Sequence, residues 1–225
     1  MEEDFRELAE RVRTEAAGAE GRAEYVRLVA LTAELTGERA GELTGERAGE
    51  PAAVAPAGAG GAVVELAGVL AESGRPLWAR EIAAFGLACA GDRRAFEPLV
   101  LLLNHRDPER CATAAAALAR LGDPRTARAA AALATNPLRT AYALHPVRLL
   151  TVLRAPESAP ALTATLRRLL APHDPFWRIA LACVEGLGAL GDDRAVPVLQ
   201  AARDHPRLAA AAAASLARLG AGATG

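Results

Sequence analysis

The sequence predicts an all-α protein whose larger part is an α-solenoid, a stack of helix pairs. Of the 225 residues, 52% are hydrophobic and only 4% aromatic. The hydrophobic residues are mainly Ala, Leu and Val, which suits close-packed helices better than strands. One helix-turn-helix phrase also recurs, most clearly at residues 116–125 and 185–194. Recurrence of such a phrase roughly every 30 residues is typical of helical arrays.

Each copy of the phrase predicts where one helix ends and the next begins. An apolar stripe leads to Gly122 or Gly191, where a glycine can adopt the left-handed conformation that closes a helix. Asp123 or Asp192 follows and is expected to cap the second helix. The turn positions are Gly91, Gly122, Arg154, Gly191 and Gly220, with spacings of 31, 32, 37 and 29 residues. These spacings predict two-helix units with modest insertions.

Two shorter regions precede this array. Residues 1–35 carry helical apolar spacing at Phe5, Leu8 and Val12, which predicts an N-terminal helical pair. Residues 34–41 are repeated at 42–49, with Gly every four residues and no core pattern. We therefore expect a flexible linker at 36–61 and the solenoid at 62–225. Slippage of a short repeat explains the duplication; the alternative is a recognition motif presented twice.

The first helix of each unit has a predicted core stripe 1, 4, 8 and 11 residues before the turn position. This stripe places Cys111 and Cys183 in the core and leaves Cys89 one position off it, so Cys89 should be more exposed. The three cysteines are widely separated and form no Cys-x-x-Cys pair. Neither a disulfide framework nor a zinc site is expected.

The phrase Ala-x-x-x-Leu-x-x-Leu-Gly-Asp-x-Arg-Ala, followed by an apolar helix, resembles the HEAT repeat, and most closely the subtype named for phycobilisome lyases. The resemblance covers about residues 62–220 and is strongest at 118–125 and 187–194. It implies an armadillo-like solenoid in which turn Asp and Arg residues pair between neighbouring repeats. The corresponding residues are Asp92, Arg94, Asp123, Arg125, Asp192 and Arg194. The third turn, 154–157, reads Arg-Ala-Pro-Glu, so the ladder should be broken there.

Charge and the N-terminal sequence bound the partners and the compartment. The formal net charge is −1; residues 1–60 hold 13 acidic residues and 7 arginines, whereas residues 61–225 hold 14 and 19. Such a mild, dispersed excess of arginine argues against a nucleic-acid partner. The chain begins without a basic and apolar leader, and no apolar run reaches membrane-spanning length. A cytoplasmic protein with no membrane partner is expected.

No catalytic constellation can be assembled from the residues. The four histidines, His105, His145, His173 and His205, fall on different units, too far apart to share a metal ion. The His-Glu dyads of HEAT-like hydroxylases, a Gly-rich phosphate loop and a Ser-His-Asp arrangement are not found either. We expect no enzyme, no cofactor and no metal. The alternatives are a lyase-like enzyme or chaperone of the phycobilisome-lyase type, and a HEAT-like nucleic-acid-binding protein.

The expected function is a non-catalytic scaffold that binds an unknown protein partner through the polar face of its second helices. Positions 1, 5, 8 and 12, counted from the residue that follows each turn position, face away from the predicted core of the second helix. The hypothesis places partner binding on Arg93, Glu97, Asn104, Arg128, Thr163, Arg167 and Gln200. The alternative is an ordinary solvated helix face.

Overall fold

A computed structural model describes residues 2–37, 58–170 and 175–222. Throughout these ranges the regular structure is helical and no strand occurs, so the prediction of an all-α fold is confirmed. The predicted linker falls largely at 38–57, and His173 falls at 171–174. Both therefore lie outside the described residues.

The described α-helices alternate with short turns, three of which contain 3₁₀ helices. The α-helices are α1 Glu2–Arg13, α2 Gly18–Thr36, α3 Gly58–Ala71, α4 Leu77–Cys89, α5 Phe96–Leu103, α6 Pro108–Leu121, α7 Thr126–Thr135, α8 Leu144–Leu153, α9 Ser158–Leu169, α10 Trp177–Leu190, α11 Val196–Ala202 and α12 Ala209–Gly222. The 3₁₀ helices are Arg93–Ala95, Pro137–Tyr142 and Asp193–Ala195. Helices α4, α6, α8, α10 and α12 are the predicted first helices. The first four end at or within two residues of a predicted turn position, whereas α12 continues to Gly222, past the turn predicted at Gly220.

The chain divides into two compact units. The first comprises Met1–Leu103 and Glu109–Asp123, and the second comprises Asn104–Pro108 and Pro124–Gly225. In the first unit, α2 packs on both α3 and α4, α3 packs on α4, and α4 packs on α5. Helix α1 packs on α2 and α4. The N-terminal helices are therefore part of the same compact body as α4 and α5.

Helices α2 and α3 stack on α4 in the manner of a helix pair. Gly37, at φ 78°, closes α2 in the left-handed conformation, as the repeat glycines close their helices. A Cβ on Gly86 of α4 would lie only 2.8 Å from both Leu66 Cδ1 of α3 and Thr32 Oγ1 of α2. Helix α3 begins at Gly58, four residues before the predicted start of the solenoid. The backbone of α4 is thus approached closely by α2 and α3 together.

The second unit shows regular stacking of helix pairs. Helix α8 packs on α9 and α10, α9 packs on α10 and α11, and α10 and α11 both pack on α12. Two glycines let α10 come close to its neighbours: a Cβ on Gly186 would clash with Thr151, and one on Gly188 would clash with Ser215. Each helix thus buries its apolar face against the next pair, which is the stacking that the sequence predicted.

Most residues of the predicted core stripes are buried, although Leu190 and Leu216 are only partly buried. Leu118 and Leu187 are fully buried, as are the small residues Ala130 and Ala134 of α7. The side chain of Thr165 donates a hydrogen bond of 3.1 Å to the carbonyl of Ala134, so α9 lies close to α7.

The cysteines occupy the environments expected from the stripe. Cys111 and Cys183 are buried and Cys89 is intermediate, which confirms the prediction. Burial raises the pKa of Cys183 to about 12, so its thiol stays protonated at neutral pH.

Candidate functional site

The three glycine turns have the predicted conformation, and two of them show the predicted aspartate cap. Gly91, Gly122 and Gly191 have φ of 72°, 62° and 76°. Asp92 accepts a hydrogen bond of 2.9 Å from the backbone N–H of Arg94, and Asp192 accepts one of 3.0 Å from that of Arg194. Both aspartates therefore act as N-caps, here at the start of a 3₁₀ helix.

The ion pairs at these turns differ from the expected ladder between repeats. Arg94 Nη2 donates to Asp92 Oδ2 at 2.5 Å, and Arg194 Nη2 donates to Asp192 Oδ2 at 2.7 Å, so each pair closes within one turn. The cap fixes the carboxylate two residues before the arginine, whose side chain folds back onto it. These hydrogen bonds lower the pKa of Asp92 and Asp192.

The remaining ladder positions are Asp123 and Arg125. The side chain of Asp123 is buried and that of Arg125 is exposed. For these two residues, pairing between repeats stays a prediction.

The third turn, at residues 154–157, is called the degenerate turn because it keeps the bend but lacks the glycine and the aspartate. Arg154 has φ 50° and is the one non-glycine with positive φ in the described part of the chain. Ser158, fully buried, donates a hydrogen bond of 2.6 Å from its Oγ to the carbonyl of Leu150. The serine thereby ties the start of α9 to the last turn of α8.

A groove of about 280 Å³ lies in the second unit, between one face of α9 and the turn that precedes α11. Its lining residues are Ala159, Pro160, Thr163, Ala164, Arg167, Asp192, Arg194 and Ala195. The groove thus brings together two residues of the predicted binding strip and two of the predicted turn ladder. Arg167 is exposed and forms no ion pair with any described residue, whereas Arg194 is paired with Asp192.

The other predicted binding residues lie outside this groove, although all of them are exposed. Arg93 and Glu97 belong to the first unit, at the 3₁₀ helix before α5 and on α5 itself. Asn104 lies just past the end of α5, and its carbonyl accepts a hydrogen bond from Arg139 Nη2. The other two are Arg128 on α7 and Gln200 on α11. Their exposure agrees with the predicted outward orientation.

Sequence reasoning missed the 3₁₀ helix at Pro137–Tyr142, which lies within the 32-residue spacing between Gly122 and Arg154. Asn136 caps it by accepting a hydrogen bond of 3.0 Å from the N–H of Leu138. The guanidinium of Arg139 stacks over the ring of Tyr142 at 4.6 Å, and Leu138 is 90% exposed. The Asn-Pro pair at 136–137 was the signal that could have identified it.

A buried charge cluster in the first unit was also missed. Glu81 of α4 is 1% exposed and accepts hydrogen bonds from Arg11 of α1 and Arg110 of α6. Arg110, itself buried, also donates to Glu15. Two arginines and two glutamates therefore balance one another, as buried charges require. No local pattern signals this cluster, because its partners are 29 to 95 residues apart in sequence.

The described residues contain no group of three or more His, Cys, Asp or Glu side chains placed to hold a metal ion. His145 is half-buried on α8, and this burial lowers its pKa. Among the described helices, none combines the length and the apolar character needed to cross a membrane.

Residues 179–205 match the family model described as PBS lyase HEAT-like repeat. The matched segment runs from the first turns of α10 through the Asp192 turn and α11. The chain therefore carries a HEAT-like repeat, which confirms the resemblance seen in the turn phrase. No curated protein matches the chain.

Proposed function

We propose that this chain, which carries a HEAT-like repeat, is a non-catalytic cytoplasmic scaffold that binds a protein partner. The binding site is the groove formed by α9 and the Asp192 turn. Helical-repeat units commonly present such extended surfaces to partners, because each added pair lengthens the exposed face without changing the core.

The observation that carries this proposal is the convergence of Thr163, Arg167 and Arg194 on one groove. The groove is also lined by three alanines and a proline, so a partner's backbone can approach closely. Arg167 is an exposed cation with no ion-pair partner among the described residues. Arg194 is held in place by Asp192, and 81% of its side chain stays exposed. The groove therefore offers one positioned guanidinium group, that of Arg194, and one unpaired guanidinium group, that of Arg167, to an acidic or carbonyl-rich segment.

The same geometry disfavours acid-base catalysis in the groove. Asp192 is the one carboxylate among the described residues that line it, and it accepts hydrogen bonds from the backbone N–H, Nε and Nη2 of Arg194. These bonds lower its pKa, which makes it a poor proton acceptor at neutral pH. A lyase or chaperone role is the second candidate, favoured by the description of the matched repeat model. Bilin attachment to an acceptor protein, assayed with the full chain, distinguishes this candidate from a scaffold.

The test of the scaffold proposal is charge reversal in the groove. The full chain and its Arg167→Glu variant are used to capture partners from native cytosol, and the captured proteins are identified by mass spectrometry. We expect the variant to lose at least 90% of the specific partner, because reversal places a carboxylate where the partner meets a guanidinium. Melting temperature should stay within about 2 °C, since surface changes alter stability by only about 0.5 kcal/mol.

The matched control is Arg148→Glu. Arg148 is an exposed arginine on α8, a first helix, and does not line the groove. This variant should capture the partner as the wild type does. Equal capture by the wild type and Arg167→Glu contradicts the groove as the binding site, and equal loss in both variants points to nonspecific charge attraction.

A further inference from the structure

We propose that the first unit contains a helix-binding groove on α2, α4 and α6, and that α1 occupies it as an internal ligand. The partner that fits this groove is an amphipathic helix carrying an arginine between its apolar anchors. The partner's chemistry is read from α1, which is seated in the groove.

The apolar part of the groove is defined by the buried face of α1. Phe5, Leu8 and Val12 are each fully buried and follow the i, i+3, i+7 spacing of a helix lying in a groove. Phe5 stacks on Phe85 of α4, with ring centroids 5.6 Å apart and planes inclined by 13°. The opposite side of α1 carries Arg6, which is exposed. The helix therefore contacts the unit through one stripe of side chains.

The polar part of the groove is a buried carboxylate. Glu81 lies at its base and accepts a hydrogen bond of 3.2 Å from Arg11 Nη1 of α1, while Arg110 of α6 donates to the same carboxylate. Tyr25 of α2 adds a hydrogen bond of 3.0 Å from its hydroxyl to the carbonyl of Ala9. The carboxylate selects an arginine at one position of the incoming helix, and the tyrosine bond is independent of sequence.

The groove is separable from its occupant because α1 is terminal and short. It has 12 residues and joins α2 through residues 14–17 alone. Isolated helices of this length are marginal in water, and terminal elements open at lower free energy than the whole fold. Opening of α1 uncovers Phe85, Glu81 and Arg110 together. The covalent connection gives α1 a high effective concentration, so a second helix binds well only when α1 is weakened.

The test uses a fluorescent peptide of residues 2–17 and three full-length chains. The chains are the wild type, Arg11→Glu, which disrupts the polar contact of α1, and Arg6→Glu, the same change on its exposed side. Anisotropy titration should show that Arg11→Glu binds the peptide at least tenfold more tightly than the other two chains. A peptide carrying its own Arg11→Glu change should bind all three chains weakly.

The proposal is overturned if the three chains bind the peptide equally, because the peptide then binds elsewhere. It is also overturned if neither Arg11→Glu nor a Phe5→Ala chain, which lacks the aromatic anchor of α1, binds the peptide while both keep the helical circular dichroism expected without α1. Hydrogen exchange on the wild-type chain gives a measurement free of folding defects. Amides 6–13 should exchange at least tenfold faster than amides 79–88 of α4, and equal protection of the two segments contradicts a separable α1.

Discussion

Two turns of the second unit make the same backbone bend with different side chains. At 191–194 a glycine takes the left-handed position, and Asp192 caps the following 3₁₀ helix. At 154–157 an arginine takes that position, and the following residue, Ala155, has no acceptor side chain. The backbone bonds nevertheless correspond: Gly191 and Arg154 each donate to the carbonyl four residues earlier, at 3.3 Å in both turns.

The difference shows that the bend and its capping are separate requirements. In the Asp192 turn, Ala195 is buried where the chain enters the second helix. In the degenerate turn that place belongs to Ser158, whose hydroxyl donates to the carbonyl of Leu150. In the degenerate turn, the Ser158 side chain joins the two helix ends. In the other turn, the Asp192 side chain caps the new helix. We infer that stacking of the pairs imposes the bend and that either arrangement can stabilise it.

Among variants of the two turns, Ser158→Ala should destabilise the protein most. The substitution removes the buried hydrogen bond from Ser158 Oγ to the Leu150 carbonyl. That carbonyl then keeps its bond from the backbone N–H of Arg154. Loss of such a bond should lower the free energy of unfolding by about 2 kcal/mol. Chemical denaturation monitored by circular dichroism measures this change.

Thr163→Ala is the matched control for Ser158→Ala, since Thr163 is a half-buried hydroxyl residue on the same helix with no hydrogen bond from its side chain to any described residue. It should change the free energy of unfolding by about 0.5 kcal/mol or less. If Ser158→Ala were as mild as this control, the serine would not be the substitute for the missing cap.

Asp192→Ala is expected to have the next largest effect. It removes an N-cap, which should cost about 1 kcal/mol of stability at neutral pH. The folded-state pKa of Asp192 is lowered by its hydrogen bonds with Arg194, so this contribution is present above the unfolded-state pKa of about 3.9. It is lost as the pH falls through the lower, folded-state value. Denaturation at a series of pH values should therefore show the wild type and the variant converging below pH 3.9.

Asp193→Ala provides the control, because Asp193 is the exposed neighbour of Asp192. This variant should track the wild type at every pH. A constant gap between Asp192→Ala and the wild type across the acid range would contradict a role for the ionised carboxylate in the cap.

The turns could be predicted from sequence because their signals are local. Glycine tolerates the left-handed region, and aspartate accepts a hydrogen bond from the N–H two residues later. Gly191 and Asp192 therefore predict both the bend and the cap. The spacing of the turns also located Arg154, although its residue type argues against positive φ. Burial of Cys111 and Cys183 followed from the same local periodicity.

The features that escaped prediction depend on contacts distant in sequence. Glu81 meets Arg11 from 70 residues away, and nothing in its own helix marks it as buried. The first residues of helix α3 were assigned to the linker because most of them are glycines. The ion pair of Arg194 with its own turn, in place of the next repeat, depends on side-chain torsions that the repeat pattern does not encode. The groove likewise required the spatial approach of α9 to the Asp192 turn.

Arg154→Gly gives the degenerate turn a glycine and should raise stability slightly. A non-glycine residue in the left-handed conformation is strained by about 1 kcal/mol, and Arg154→Gly removes this strain. Glycine also makes the unfolded chain more flexible, which offsets part of the gain. The net increase should be about 0.5 kcal/mol, or roughly 1–2 °C in melting temperature for a chain of this size.

The reciprocal variant Gly191→Ala places a Cβ at the left-handed position of the other turn and should lose about 1 kcal/mol of stability. Differential scanning calorimetry of both variants measures these shifts. A loss of stability in Arg154→Gly would mean that the arginine side chain holds the degenerate turn in place and that Ser158 alone does not replace the missing cap.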